Sequence, residues 1–325
     1  MECGRQRIED ITSENEVVEG VYALRSKDVP MEYRHGYFFR MKVADASGEI
    51  LVTYWGGRDE GAVRMKHDLL KVNSLVRLVG TTSSWNGRLS IGINPATGDI
   101  IEPAADDEFD PAEFLPCTSK DIDEMFSELM HYIGAIEDSF TRSLLLSLFS
   151  DHDLASSFKH SPASVSYHCG WIGGLLEHTL NVVSICDKIS QIYPDLDRDL
   201  LLAGAILHDL GKVRCYDVQS SISESVDGRM LGHLVIGTGM IREACDAIPD
   251  FPVNTRLKLI HMVLASHGSN DKGSPIGPSI PEAVALHYAD EMDSILERFI
   301  LARQSGGPDD IFVKDSILRT KIYRL

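Results

Sequence analysis

The chain has 325 residues, 43% hydrophobic and 25% charged, with 49 acidic against 31 basic side chains and a formal charge of −18. That composition belongs to a folded chain with room for two domains and excludes a disordered or collagen-like protein. It also argues against binding DNA or anionic membranes through overall charge, while leaving a localised nucleic-acid site open.

Residues 1–16 are acid-rich and carry no apolar run, so they read as an N-terminal extension without a secretory signal peptide. From 17 to 97 the chain reads as strands: VVEGVYAL, YFFRMKVA, EILVTYW, SLVRLVG and RLSIGI are short and rich in β-branched and aromatic residues. Asp45-Ala46-Ser47-Gly48 and Trp85-Asn86-Gly87 suit tight reversals. The first three runs suit a meander and the last two a hairpin, with a short helix between them within 57–71. Five strands with a helix between the third and fourth suggest an OB-type barrel, although other small barrels share this pattern.

Residues 98–120 form an acidic, proline-containing linker with Pro103, Pro111 and Pro116, none of which suits the interior of a regular element. From 121 to 325 apolar residues recur at three- and four-residue spacing, which predicts an all-helical domain with its own core. No strong strand candidate precedes the last ten residues. The fold class is therefore multidomain α and β: a small N-terminal barrel, then helices.

Six cysteines, Cys3, Cys117, Cys169, Cys186, Cys215 and Cys245, are scattered without CxxC spacing. A reducing compartment suits them, and the cytoplasm is the expected location. No window approaches eighteen continuous apolar residues, so no spanning helix and no membrane partner are expected.

The chemistry gathers in the helical part. His208 and Asp209 close an apolar helix ahead of Gly211, where an ionised aspartate is costly unless paired or bound to metal. His178 lies in GGLLEHTLNVV, His233 opens GHLVIG, His267 follows KLIHMVLAS, and Asp290 lies in LHYADEMD. Four imidazoles and two carboxylates can hold two divalent ions bridged by Asp209. Mixed nitrogen and oxygen donors suit Mn²⁺, Fe²⁺ or Zn²⁺, and the absence of a thiolate argues against a structural zinc cluster.

These residues resemble the signature of the HD-domain metal-dependent phosphohydrolases. GGLLEHT (173–179), HDLGK (208–212), SHG with GSP (266–268, 273–275) and EAVALHYADEMD (282–293) resemble more closely the YhaM-type 3′→5′ exoribonucleases, in which an OB-fold precedes the HD domain. The resemblance implies hydrolysis of single-stranded RNA, and of single-stranded DNA as a further substrate, to 5′-mononucleotides. It implies one ion on His178, His208, Asp209 and Asp290 and a second on Asp209, His233 and His267, with Mn²⁺ ahead of Fe²⁺, Mg²⁺ or Zn²⁺.

Ser266 departs from the family pattern, which has a second histidine there, and so bears on the second ion. His261 lies six residues before His267, off its helical face, and is a poor substitute. Lys212 is placed to meet a phosphate or hold Asp209, Glu177 has a supporting role, and His168 and Ser274 are candidate substrate contacts. On the barrel, Trp85, Trp55, Arg40 and Arg88 are candidates for strand binding by stacking and backbone contact, with Trp85 expected to be the exposed aromatic. Competing readings are an HD phosphohydrolase of a nucleotide or cyclic dinucleotide, and a non-catalytic nucleic-acid-binding protein. Homo-oligomerisation is compatible with the sequence.

Overall fold

The computed structural model describes residues 6–85, 87–105, 109–164, 169–304 and 310–324, with the side chain of Trp85 excepted. It divides into two compact units. The first comprises Met1–Pro116 with Val218–Ile222, and the second Cys117–Asp217 with Ser223–Leu325.

In the first unit β1 (Val17–Lys27), β3 (Gly36–Asp45) and β4 (Gly48–Trp55) form an antiparallel meander, with β2 (Met31–Tyr33) paired to β3. After helix α1 (Glu60–Leu69) come β5 (Leu75–Trp85) and β6 (Arg88–Ile93), an antiparallel hairpin. β6 pairs in parallel with β4, and β5 pairs with β1, so the sheet closes. Five strands in this order, with the helix between the third and fourth barrel strands, make an OB-type barrel. Period-two alternation drives it: Phe39, Met41 and Val43 of β3 are buried, whereas Arg40 and Lys42 face outward. The β3–β4 reversal is held by Asp45, whose Oδ1 accepts from the backbone N–H of Ser47 and Gly48 at 2.7 and 3.2 Å.

Several short strands, β2 among them, were not expected from the sequence. β7 (Ile100–Pro103) pairs with β5 inside the stretch read as linker; Pro103 sits at its last position, where the missing N–H is tolerated. β8 (Tyr216–Val218) and β9 (Ile222–Glu224) pair within the region read as helical. Strands of three residues carry too little alternation to be read from sequence.

The second unit contains α2 (Ile122–Gly134), α3 (Ser139–Phe149), α4 (His152–His160), α5 (Gly174–Ile192), α6 (Arg198–Leu207), α7 (Val226–Leu231), α8 (His233–Asp246), α9 (Val253–Leu264) and α10 (Pro281–Gln304). Near its end a hairpin, β10 (Phe312–Asp315) with β11 (Thr320–Tyr323), packs on α10. Asp121, Asp138, Asp151 and Asp197 cap α2, α3, α4 and α6 by accepting backbone N–H bonds. Each places negative charge at the positive end of a helix dipole, which accounts for part of the acidic excess. Every residue of α6 from Leu200 to Leu207 is buried, so this helix is the centre of the core. Among the described residues no helix is long and apolar enough to cross a membrane.

Candidate metal centre

The buried helix α6 ends on His208, and Asp209 follows it with 1% and 2% of their surfaces exposed, respectively. The 3₁₀ turn Leu210–Arg214 then presses against the start of α8. Gly211 makes this possible, since a Cβ there would lie 2.0 Å from the carbonyl oxygen of His233. That approach brings His233 beside Asp209. α5 supplies fully buried His178, α10 supplies Asp290, and the segment after α9 supplies His267.

The two oxygens of Asp209 face different histidines. Oδ2 lies 3.6 Å from His178 Nε2 and 3.3 Å from His208 Nε2, whereas Oδ1 lies 3.5 Å from His233 Nε2. His178 Nε2 is 3.3 Å from His208 Nε2 and 3.2 Å from Asp290 Oδ1. On the other side His233 Nε2 is 3.3 Å from His267 Nε2. Ligands about 2.0–2.2 Å from a shared ion lie about 3 Å from one another, so His178, His208 and Asp290 have the spacing of a ligand set. The donors are nitrogen and oxygen throughout, and they fit a divalent metal.

Hydrogen bonds aim the rings. His178 Nδ1 is bonded to Asp293 Oδ2 at 2.7 Å, and His208 Nδ1 to the carbonyl of Ala205 at 2.8 Å, leaving both Nε2 atoms turned to the centre. Burial alone would lower the His178 pKa, but hydrogen bonds to Asp290 and Asp293 outweigh it and raise it to about 9. Burial likewise works against an ionised Asp209, yet Lys212, His208 and His233 hold its carboxyl well below the usual range. Lys212 donates to Asp209 Oδ2 at 2.6 Å. His233, where burial dominates, is lowered to about 4. The centre thus combines ionised carboxylates with neutral imidazole donors on the His233 side.

A cavity of about 230 Å³ opens on these residues, lined by Asp209, Lys212, His267 and Asp290 together with Lys272, His287, Glu291 and Ser294. Lys272 pairs with Glu291, and His287 Nε2 lies 3.5 Å from the same carboxylate. His287 Nδ1 donates to the carbonyl of Ser266 at 2.8 Å. Its ring packs under Gly268, whose φ is +81° and whose Cβ would lie 2.3 Å from His287 Nε2. A larger cavity, about 500 Å³, lined by Ser147, Asp151, Arg214 and Glu243 among others, contains none of the histidines.

The structure brings together His178, His208, Asp209, His233, His267, Asp290 and Lys212. Ser274 is buried, its hydroxyl has no hydrogen-bond partner among the described residues, and it is not among the residues lining this cavity. Ser266 is also buried with its hydroxyl unpartnered. His261 is not in the centre: its Nε2 accepts from the backbone N–H of Ser279. Glu177 turns away to accept from Thr118 and Trp171. His168 lies outside the described residues, as does the side chain of Trp85. Asp293, Lys272, His287 and Glu291 were not singled out from sequence. For Asp293 the available signal was its place three residues after Asp290, on the same helical face.

On the barrel Trp55 is 37% exposed and stacks on Phe38, with ring centroids 5.4 Å apart, and Tyr33 lies 5.2 Å from Trp55. Arg40 sits 5.6 Å over the Phe38 ring. Arg88, exposed at the start of β6, shares a cavity with Lys42 and Ser90. Phe39 and Tyr54 are instead in the core.

Residues 175–295 match the HD domain family model, a span that contains all six histidines and aspartates of the centre. The chain is 30% identical over 260 residues to the 3′-5′ exoribonuclease YhaM of Bacillus subtilis, covering 79% of this chain and 78% of that protein. It is 28% identical over 279 residues to the protein of the same name from Halalkalibacterium halodurans, covering 86% and 83%. Among solved structures, an OB domain from Thermoplasma acidophilum aligns with 30% of this chain and 85% of its own, at 16% identity and a TM-score of 0.24. A helical HD domain carrying the paired histidines around Asp209, behind an OB-type barrel and matched over most of both chains, makes this protein a member of the YhaM family of 3′-5′ exoribonucleases.

Proposed function

We propose that this chain is a metal-dependent 3′→5′ exoribonuclease that shortens single-stranded RNA from its 3′ end and releases 5′-mononucleotides. The observation that carries the reading is the position of Asp209, with one carboxylate oxygen turned to His178 and His208 and the other to His233. His178, His208, Asp209 and Asp290 would hold one divalent ion, and Asp209, His233 and His267 a second, with Mn²⁺ the preferred ion and Fe²⁺, Mg²⁺ and Zn²⁺ as alternatives. Divalent ions bound there supply charge neutralisation on the phosphoryl oxygens and acidify the attacking water.

The chain's own residues do the rest. Lys212 fixes the Asp209 carboxylate, and Asp293 and the Ala205 carbonyl hold the two rings in register. Lys272 and His287 line the cavity where a terminal phosphate would enter. On the barrel, residues 17–103, Trp55, Phe38 and Tyr33 form a stacking surface, with Arg40 exposed on β3 beside Phe38 and Arg88 exposed on β6 to meet the backbone. Stacking accepts any base, as a strand-tracking surface must. A cytoplasmic location suits a ribonuclease with reduced cysteines.

The test is digestion of 5′-labelled single-stranded RNA and a matched DNA strand in Mn²⁺, Mg²⁺ and EDTA, by the wild type and Asp209→Asn. A ladder shortening from the 3′ end, lost in EDTA and in the variant, supports the reading. Absence of a ladder with metal-loaded wild type overturns it.

A further inference from the structure

We propose that Lys272 is a substrate-binding residue whose ammonium exchanges the Glu291 carboxylate for a phosphate of the strand, so that Glu291 holds the place of phosphate until substrate arrives. The inference rests on the reading of this cavity as the entry for a 3′ end, and it names the side chain that seats the phosphate there.

The loop after α9 is folded back by two glycines of positive φ, Gly268 at +81° and Gly273 at +97°, on either side of the 3₁₀ turn Asn270–Lys272. The backbone N–H groups of Lys272 and Ser274 both donate to the carbonyl of Ser269, at 3.1 Å each. The turn is thereby closed beside the metal centre: a Cβ on Gly273 would lie 3.6 Å from His267 Nδ1. The backbone of Lys272 is fixed next to a residue of the centre, while its side chain remains 51% exposed.

Of the two lysines among the described residues lining the cavity, Lys212 is committed, since it is buried and donates to Asp209 at 2.6 Å. Lys272 pairs with Glu291 where both side chains reach solvent. An exposed pair of this kind contributes little net stability, so its carboxylate can be exchanged. A lysine ammonium meets phosphate as a point charge and accepts it from a range of directions. The second Glu291 oxygen lies 3.5 Å from His287 Nε2, so a phosphate in the place of the carboxylate would meet the imidazole as well. Asp209 and Asp290 on the same lining repel an anion, and the chain as a whole carries −18, so a cation here draws the strand inward. At about 230 Å³ the cavity is smaller than the roughly 300–1,000 Å³ of drug-sized sites. It takes one nucleotide unit, and the phosphate beside Lys272 is that of the nucleotide being released.

The experiment is calorimetric titration of the Mn²⁺-saturated full chain with 5′-AMP, together with steady-state cleavage of single-stranded RNA. The proteins are wild type, Lys272→Ala, Lys272→Arg and Glu291→Gln, with Lys258→Ala, an exposed lysine of α9 outside the lining, as the control for net charge. Lys272→Ala should weaken AMP binding about 10-fold and raise KM for RNA by a similar factor, and Lys272→Arg should restore most of the loss. Glu291→Gln removes the competing carboxylate and should act in the opposite direction, tightening AMP binding about two- to five-fold. A lysine that only braces the loop against Glu291 would give losses in both variants. Should Glu291→Gln unfold, the two Lys272 variants decide the matter. If wild type leaves RNA intact while AMP affinity still follows Lys272, the ribonuclease reading fails and the phosphate site stands. Equal AMP affinity in wild type and Lys272→Ala, an equal loss in Lys258→Ala, or weakened AMP binding by a folded Glu291→Gln overturns the proposal.

Discussion

Lys212 Nζ and Asp209 Oδ2 are 2.6 Å apart, and both residues are more than nine-tenths buried. The pair holds negative charge at the centre of the histidine cluster, where a lone carboxylate would be protonated or expelled. Removing one partner of such a pair leaves the other uncompensated. Lys212→Met is therefore expected to destabilise the metal-free protein by about 3 kcal/mol, measured by urea unfolding in EDTA. The loss should shrink when divalent metal is added, because bound cations replace the missing ammonium. An unchanged unfolding midpoint in EDTA would rule out this role for the lysine.

Asp293 gives a separate prediction. Its hydrogen bond to His178 Nδ1 keeps the opposite nitrogen aimed at Asp290 and His208. Asp293→Asn should weaken divalent-metal affinity about 10- to 100-fold, read by competition with a chelating dye. Asp293→Glu should recover part of that loss. Equal affinities for wild type and Asp293→Asn would show that the ring is held by packing alone.

The His178 pKa of about 9 sets a pH dependence for the metal-free chain. Because the folded value lies above the unfolded one, the protonated ring stabilises the fold fully below about pH 6.5, and that stability is lost as pH rises through 9. A shift of this size corresponds to about 3 kcal/mol. Melting temperature in EDTA should fall between pH 7 and pH 10, and the fall should be much smaller in His178→Gln. The depressed carboxyls of Asp209 and Asp290 act in the other direction, with stability present above the ordinary carboxyl range and lost as pH drops through their folded values.

Gly211→Ala tests the approach of the 3₁₀ turn to α8. The new Cβ would meet the His233 carbonyl carbon and oxygen and the Gly237 backbone nitrogen, none of which is a flexible side-chain end. Stability is expected to drop by about 1–3 kcal/mol, with RNA cleavage falling further than stability because His233 is displaced from Asp209. Calorimetry and a cleavage assay on the same preparation separate the two effects.

The barrel surface predicts a division between binding and chemistry. Trp55→Ala should weaken binding of a single-stranded RNA oligomer by about 1–3 kcal/mol while leaving cleavage of a dinucleotide unchanged. Arg40→Ala should flatten the salt dependence of oligomer binding. Equal losses on long and short substrates would place Trp55 in structural support instead.

Residue pattern and tertiary structure contributed different parts of this description. Alternation in YFFRMKVA and four-residue spacing in IDEMFSELMHYIGAI follow from burial on one face, a property of consecutive residues, and so the barrel strands and the helices were legible directly. His208 and Asp209 were legible because polar residues ending an apolar helix are costly without a partner. β7 and β8–β9 were not, since elements of three or four residues are selected by the strands they pair with. The same reason hid the placement of Ser274, whose burial depends on how the loop after His267 folds back.

By itself, the sequence determined the barrel-then-helix order, the metal-ligand residue types and, through its motifs, the family to which the chain belongs. Only the tertiary structure decided which Asp209 oxygen serves which histidines, that Asp293 orients His178, and that Lys212 is buried against Asp209. Hydrogen bonds and ion pairs of this kind join residues 3 to 115 positions apart, and their geometry exists only once the helices have packed.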